Sequence, residues 1–211
     1  MTYRSRLLSF FPLFHLLWIA GFFLALCYHF SCFNLLGFIF AVYLLPILCM
    51  RLHHYFSAPI EGTFTLTERR YCAWWGTHQF QSVFNAIPDF DAILRLIPGA
   101  YSAWLRLWGS TIGKRIYWTP LVEITDRSLM VVGDDVIFGH KVSCFAHVII
   151  HKPDKLILYV KRITIGKRVF VGAGSRLGPG AIVDEGLSLK FLTDVKINQH
   201  LTEESLCKIG E

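Results

Sequence analysis

The sequence lacks charge over a long N-terminal stretch and carries little charge elsewhere. Only 17% of the 211 residues are Asp, Glu, Lys or Arg, whereas an ordinary soluble domain has about a quarter. None of the four types occurs between Leu7 and Met50. The chain also has no dense Lys and Arg run, no Cys-x-x-Cys pair, no phosphate-binding loop and no dinucleotide-binding glycine motif. These absences exclude a wholly soluble protein and argue against nucleic-acid binding and nucleotide-dependent chemistry.

The uncharged stretch predicts a transmembrane helical hairpin over residues 1–52. Residues 7–30 and 33–50 are each apolar and about as long as the roughly 20 residues that a helix needs to cross a bilayer. A cleaved signal peptide is the alternative for the first stretch. That stretch is longer than the apolar core of about 7 to 15 residues in a signal peptide, and it has no cleavage site between small residues.

The flanking charges predict the orientation of the hairpin. Arg4 and Arg6 precede the first span and Arg51 follows the second, whereas the connection between the spans has no Lys or Arg. Because positive residues stay on the cytoplasmic side, both termini are expected in the cytoplasm.

Residues 53–110 predict short amphipathic helices. Apolar residues recur there at three- and four-residue steps, broken by Pro88 and Pro98, and Trp residues lie close to Arg95 and Arg106. Trp beside Arg is typical of helices that lie in the lipid headgroup layer. A helical layer packed on the following domain is the alternative.

The chain beyond residue 111 follows a six-residue repeat. Apolar residues occupy every sixth position in two series, and glycine directly follows many of them. The series are Val132, Phe138, Cys144 and Ile150, then Ile165, Val171, Leu177, Val183, Leu189, Val195, Leu201 and Cys207. A fixed period identifies a repeat architecture, here a triangular coil with stacked aliphatic residues inside. We expect glycine to form the corners and residues 111–211 to make four or five coils.

The repeat is interrupted once. The 15 residues from Ile150 to Ile165 are not a multiple of six, which predicts a loop over about residues 151–163 that leaves the coil.

The order of these segments resembles a known family. The spans and the aromatic segment lead into Leu107-Trp108-Gly109-Ser110-Thr111-Ile112-Gly113, then Ile124-Thr125-Asp126, then Val132-Gly133-Asp134-Asp135. This order is similar to that of membrane-associated hexapeptide-repeat acyltransferases, which include exopolysaccharide acetyltransferases and the C-terminal modules of polylysine-type peptide synthetases. The resemblance implies a mainly β fold, a left-handed parallel β-helix preceded by a transmembrane hairpin and interfacial helices.

The resemblance also implies an activity. Such an enzyme transfers an acetyl group from acetyl-CoA, its donor substrate, to a hydroxyl or amine of a membrane-associated sugar, polysaccharide or peptide. It holds no permanent cofactor, works as a homotrimer among membrane lipids and is located in the bacterial inner membrane. Transfer of a longer acyl or peptidyl group, and a non-catalytic β-helix scaffold, are the alternatives.

Site residues follow from the same resemblance. Family members place a catalytic His just ahead of the extruded loop, which implies His151 as the base, with His147 as the second candidate. The other site residues follow from their chemistry. Asp154 either orients the imidazole of His151 or caps the loop after Pro153. We expect backbone N–H groups around Gly172 and Gly174 to bind the oxyanion, and the positive charge of Lys167, Arg168 and Arg176 to bind the phosphates of the donor.

Zinc is the remaining possibility for the histidines. His140, His147 and His151 supply three ligands, but residues four apart on a strand lie about 13 Å from one another. A shared ion needs Zn–N distances near 2.0 Å, so we predict no metal.

Overall fold

The computed structural model describes residues 2–58, 61–66 and 70–205. The chain divides into two compact units, one of residues 1–60 with 66–90 and one of residues 61–65 with 91–211.

The first unit is helical. Two continuous helical stretches, Tyr3–Tyr28 and Cys32–Phe56, are long and apolar enough to cross a membrane, judged by length and composition alone. The first stretch begins four residues before the predicted span and ends two residues before its predicted end, and the second continues six residues beyond its predicted end, past Arg51. The elements are α1 (Tyr3–Ser9), α2 (Phe11–Tyr28), α3 (Cys32–Ile39), a π-helical turn (Phe40–Leu44), α4 (Leu45–Phe56) and α5 (Ala73–Ala86).

Local chemistry explains the breaks between these helices. Ser31 ends the connection and caps α3, since its side chain accepts a hydrogen bond from the Asn34 backbone at 3.1 Å. The π-helical turn lies directly before Pro46, whose missing N–H disrupts regular helical bonding. Between the two stretches, His15 Nε2 donates to the Ala41 carbonyl at 2.9 Å, so this histidine has a packing role.

The second unit contains three parallel sheets that the chain visits in rotation. The first face is β2 (Thr111–Ile112), β5 (Met130–Val132), β10 (Ile163–Ile165), β13 (Ile182–Val183) and β15 (His200–Leu201). The second face is β3 (Tyr117–Trp118), β6 (Ile137–Phe138) and β11 (Phe170–Val171). The third face is β4 (Glu123–Ile124), β7 (Ser143–Cys144), β12 (Arg176–Leu177) and β14 (Asp194–Val195).

The interior positions of the repeat are confirmed with one exception. Every described member from Ile165 to Leu201, and Val132, Phe138 and Cys144, is at most 2% exposed. Ile150 is 39% exposed, so its assignment to the interior is wrong. The chain has already left the coil at that point. Cys207 lies outside the described residues.

The prediction that glycine directly after each interior residue forms the corners is also wrong. A Cβ on Gly133 would lie 2.7 Å from the backbone nitrogen of Lys167 in the next coil, so glycine there permits close stacking of coils. Left-handed backbone occurs two residues further on, as at Arg168 (φ 55°) and Gly174 (φ 70°).

The extruded segment is a β-hairpin that begins earlier than predicted. β8 (His147–Lys152) pairs with β9 (Lys155–Val160), and β9 pairs on its other side with β1 (Gly62–Thr65). The loop therefore begins at His147 rather than His151. β1 lies inside the segment predicted to be helical, so that prediction is wrong for these four residues. Their strand conformation depends on pairing with a strand about 100 positions away, which leaves no local pattern in the sequence.

The remaining helices are α6 (Asp89–Arg95) and α7 (Ala100–Trp108). Trp104 and Trp108 are buried in the second unit, and α7 is bonded to the coil where Trp118 Nε1 donates to Ser102 Oγ at 2.8 Å. For α7, the packed helical layer describes the structure better than insertion of these rings among lipid headgroups.

Candidate functional site

One edge of the coil carries the hairpin. The backbone N–H of Lys161 donates to the Ala146 carbonyl at 2.9 Å, and the N–H of Gly180 donates to the Lys161 carbonyl at 3.2 Å. The backbone N–H of Asn198, one coil further on, donates to the Pro179 carbonyl at 3.0 Å. These contacts align successive coils between the third and first faces, and we call this line the hairpin edge.

His147, the first residue of β8, is held by a buried carboxylate at this edge. Its Nδ1 lies 2.7 Å from Asp126 Oδ2, and the side chains are 20% and 2% exposed respectively. The same oxygen accepts from the Ala146 N–H at 3.0 Å and from Thr125 Oγ1 at 3.1 Å. When Nδ1–H donates to a carboxylate, the neutral imidazole keeps its lone pair on Nε2.

A bulge in the first coil places Asp126 there. Ile124 and Val132 are eight residues apart, whereas the other successive interior residues are six apart except across the hairpin. The extra residues form a turn closed by the Leu129 N–H donating to the Asp126 carbonyl at 3.0 Å. Asp126 belongs to the Ile124-Thr125-Asp126 segment, and the segment pattern alone assigns it no chemical role. The departure from six-residue spacing at this point is the signal that could have identified it.

The other two predicted catalytic residues lie near the hairpin tip. His151 is exposed and pairs with Leu156, and Asp154 lies in the turn that joins the strands. Among the described residues, neither side chain has a hydrogen bond to the other. The structure thus brings together His147 and Asp126, and does not bring together His151 and Asp154.

The five predicted donor-binding residues are distributed around the coil. Lys167 and Arg168 lie at the corner after β10, Gly172 and Gly174 at the corner after β11, and Arg176 on β12. The five residues, spread over residues 167–176, therefore lie at two successive corners and on the third face. Gly174 is also unsuited to bind an oxyanion, because its N–H donates to the His140 carbonyl at 2.8 Å.

A cleft lies beside the hairpin edge. Its volume is about 450 Å³. Its walls include Phe145, Arg176, Gly178, Asp194, Lys196 and Ile197. Of the five predicted donor-binding residues, only Arg176 borders this cleft. Its side chain pairs with Asp194 through two hydrogen bonds of 2.7 and 2.5 Å.

Residues of the returning strand are tied to the same edge. Tyr159 Oη and Lys161 Nζ both donate to Asn198 Oδ1, at 2.8 and 2.9 Å. Val160 is buried. Tyr159 and Val160 are therefore packed within their own unit.

Comparisons with known proteins give partial likenesses. No protein-family profile matches this chain, and no curated protein matches it. Among solved structures, a galactoside acetyltransferase in complex with coenzyme A is 16% identical, with a TM-score of 0.37 over 52% of this chain and 72% of that chain. A maltose O-acetyltransferase from Clostridium difficile is 14% identical, with a TM-score of 0.30 over 56% of this chain and 82% of that chain. A hexapeptide-repeat acetyltransferase from Vibrio cholerae is 13% identical, with a TM-score of 0.28 over 56% and 85%.

Proposed function

We propose that this protein is a membrane-bound acyltransferase in which His147, oriented by Asp126, is the general base. The observation that carries the proposal is the 2.7 Å contact between His147 Nδ1 and a carboxylate that is 2% exposed. A fixed imidazole with its lone pair on Nε2 is the group that acyl transfer to a hydroxyl or amine requires. His151 lacks such a partner among the described residues, so we assign the role to His147.

The reaction runs through one proton on Nε2. His147 takes the proton of the acceptor hydroxyl or amine as the acceptor atom attacks the thioester carbonyl carbon. The tetrahedral intermediate then expels the thiol of the donor, and the imidazolium returns the proton to the thiolate. Asp126 stabilises the transient imidazolium and keeps Nδ1 protonated throughout.

The cleft at the hairpin edge suits the donor, which we propose is acetyl-CoA. Phe145 and Ile197 offer apolar surface for the pantetheine arm, and Lys196 offers positive charge for phosphates beside the Arg176–Asp194 pair. Lys161 lies on the same edge. These residues replace Lys167, Arg168, Gly172 and Gly174 in the proposed donor site.

The two apolar helical stretches support an acceptor held at the membrane. We propose that they form a hairpin with both ends in the cytoplasm, that the coil is a left-handed β-helix, and that the acceptor is a membrane-associated sugar, polysaccharide or peptide. Transfer of a longer acyl group remains the second enzymatic candidate, and a scaffold is the non-enzymatic one.

The test uses the full chain extracted in detergent. Thiol release from acetyl-CoA, with water as a surrogate acceptor, and calorimetric binding of coenzyme A separate an enzyme from a scaffold. Palmitoyl-CoA in parallel reports the acyl length. We expect His147→Ala to lower kcat for thiol release by about 10² to 10⁴ while coenzyme A still binds. A chain that neither binds coenzyme A nor releases thiol would exclude the proposal.

A further inference from the structure

We propose that Arg127 is a positioning residue, which through its buried ion pair with Asp91 fixes the bulge that aims Asp126 at His147. The inference rests on the proposed function and deepens it. Arg127 directly follows Asp126 in the bulge, and Asp91 lies on α6, so the pair connects that helix to the site.

The side chain of Arg127 has one defined position. Its Nη2 donates to Asp91 Oδ2 at 2.8 Å, with side chains 2% and 3% exposed. The guanidinium carbon lies 5.7 Å from the centroid of the Trp104 ring, within reach of a cation–π contact. A guanidinium that is bonded to a buried carboxylate and packed against a ring has few alternative rotamers.

The backbone of Arg127 is fixed as well. Its carbonyl accepts from Ser110 Oγ at 2.8 Å, and the same Ser110 oxygen accepts from the Met130 N–H at 2.9 Å. Ser110 therefore bridges both ends of the bulge. Because the bulge is held at its side chain and at its main chain, the preceding residue, Asp126, has little freedom to move away from His147.

Asp91 is itself held by neighbours in α6 and α7. Its Oδ2 accepts from Tyr101 Oη at 3.3 Å and lies 3.7 Å from Arg95 Nη2. Burial raises the pKa of Tyr101, which keeps the hydroxyl protonated and able to donate. Asp91 is thus a fixed anchor for Arg127.

The buried charges add a second argument. Arg95 and Arg127 place two guanidiniums in this region, with side chains 6% and 2% exposed, against the single carboxylate of Asp91. Asp126 is the second buried carboxylate. A carboxylate in this position, bonded to Nδ1, is the partner that an imidazolium at His147 needs.

The test compares Arg127→Met and Asp91→Asn with the unaltered full chain in detergent. We expect kcat for thiol release from acetyl-CoA to fall about 10- to 100-fold, as for other supporting residues of a site, with KM for acetyl-CoA changed less than twofold. In an Asp126→Ala background, Arg127→Met should lower kcat no further, because its effect passes through Asp126. Arg115→Met, which breaks an exposed pair with Asp135 on the coil, is the control and should leave kcat unchanged.

The outcomes separate the two proposals. If Arg127→Met keeps wild-type kcat, or lowers it by the same factor with and without Asp126, the positioning role is overturned while the base assignment stands. If Asp126→Ala itself keeps full activity, the proposed function falls and the inference with it. Should Arg127→Met fail to fold, Arg127→Lys retains the charge but lacks the planar guanidinium, and the same unchanged KM and reduced kcat are expected.

Discussion

The Nδ1 of His147 and the Oδ2 of Asp126 lie 2.7 Å apart although the residues are 21 positions apart in the chain. His147 is the first residue of the hairpin. The Asp126 carbonyl accepts the hydrogen bond that closes the bulge in the preceding coil. Their contact exists because coils stack in register, so that the corner after β4 lies next to the corner after β7.

This relationship predicts a difference between two histidines. His147→Ala should lower kcat for thiol release by about 10² to 10⁴, because a general base contributes that much. His151→Ala, four residues away on the same face of β8, is the matched control and should retain activity. Steady-state kinetics on both folded variants decide the assignment. A large loss in His151→Ala with an active His147→Ala would return the role to His151.

The flanking charges predict the membrane orientation. A reporter fused before Met1 and one fused after Glu211 should both read cytoplasmic, since Arg4, Arg6 and Arg51 lie on one side of the spans. Alkaline phosphatase and green fluorescent protein fusions provide the measurement. Phosphatase activity from either terminus would overturn the hairpin and deprive the site of a cytoplasmic thioester donor.

Stacking of the coils predicts that two glycines at equivalent positions differ in tolerance. A Cβ on Gly166 would meet the Glu185 backbone nitrogen at 2.5 Å, whereas one on Gly178 would have its nearest neighbour at 3.2 Å. Gly166→Ala should therefore lower the free energy of unfolding by about 2 kcal/mol or more, and Gly178→Ala by less than about 1 kcal/mol. Urea unfolding followed by Trp fluorescence tests this. Equal losses would refute the stacking role.

The sequence predicts the interior of the coil well and the site only in part: it supplies His147 as a candidate base but not its partner. The interior positions could be predicted from Ile165 to Leu201 because a stacked interior demands an apolar residue at every step. The contact of Asp126 with His147 could not, since it depends on which coils lie side by side and on a two-residue bulge. Likewise β1 gains its strand conformation from β9, a partner about 100 residues away, and no local pattern records that.

Burial of Cys144 predicts a pH effect at the alkaline end. Burial raises the pKa of the Cys144 thiol to about 12, from about 9 in the unfolded chain. The folded state binds the thiol proton more tightly than the unfolded chain does. The protonated, buried thiol therefore contributes fully to the free energy of unfolding below pH 9, and this contribution is lost between about pH 9 and 12. Cys144→Val should remove that part of the alkaline destabilisation. Unfolding titrations at pH 8 and pH 10 measure it, and an identical pH dependence in the two proteins would contradict the prediction.

The second face of the coil predicts where copies of the chain associate. Tyr117, Ile137 and Phe170 stand next to one another across β3, β6 and β11 and are 62%, 43% and 42% exposed. A contiguous apolar stripe on a sheet is typical of a protein interface, whereas the third face carries the charged residues Glu123, Arg176 and Asp194. We propose the homotrimer that the family resemblance implies, with this stripe in its interface.

Tyr159, which lies on the extruded segment, donates to Asn198 within its own chain and serves as the comparison. Ile137→Asp should convert the trimer to a monomer, because three buried carboxylates would each lack a partner. Tyr159→Asp should weaken the attachment of the hairpin and reduce activity while leaving the oligomer intact. Mass photometry in detergent, with thiol release measured on the same samples, separates the two effects. A fully active monomer, or a trimer that survives Ile137→Asp, would rule out association through the second face.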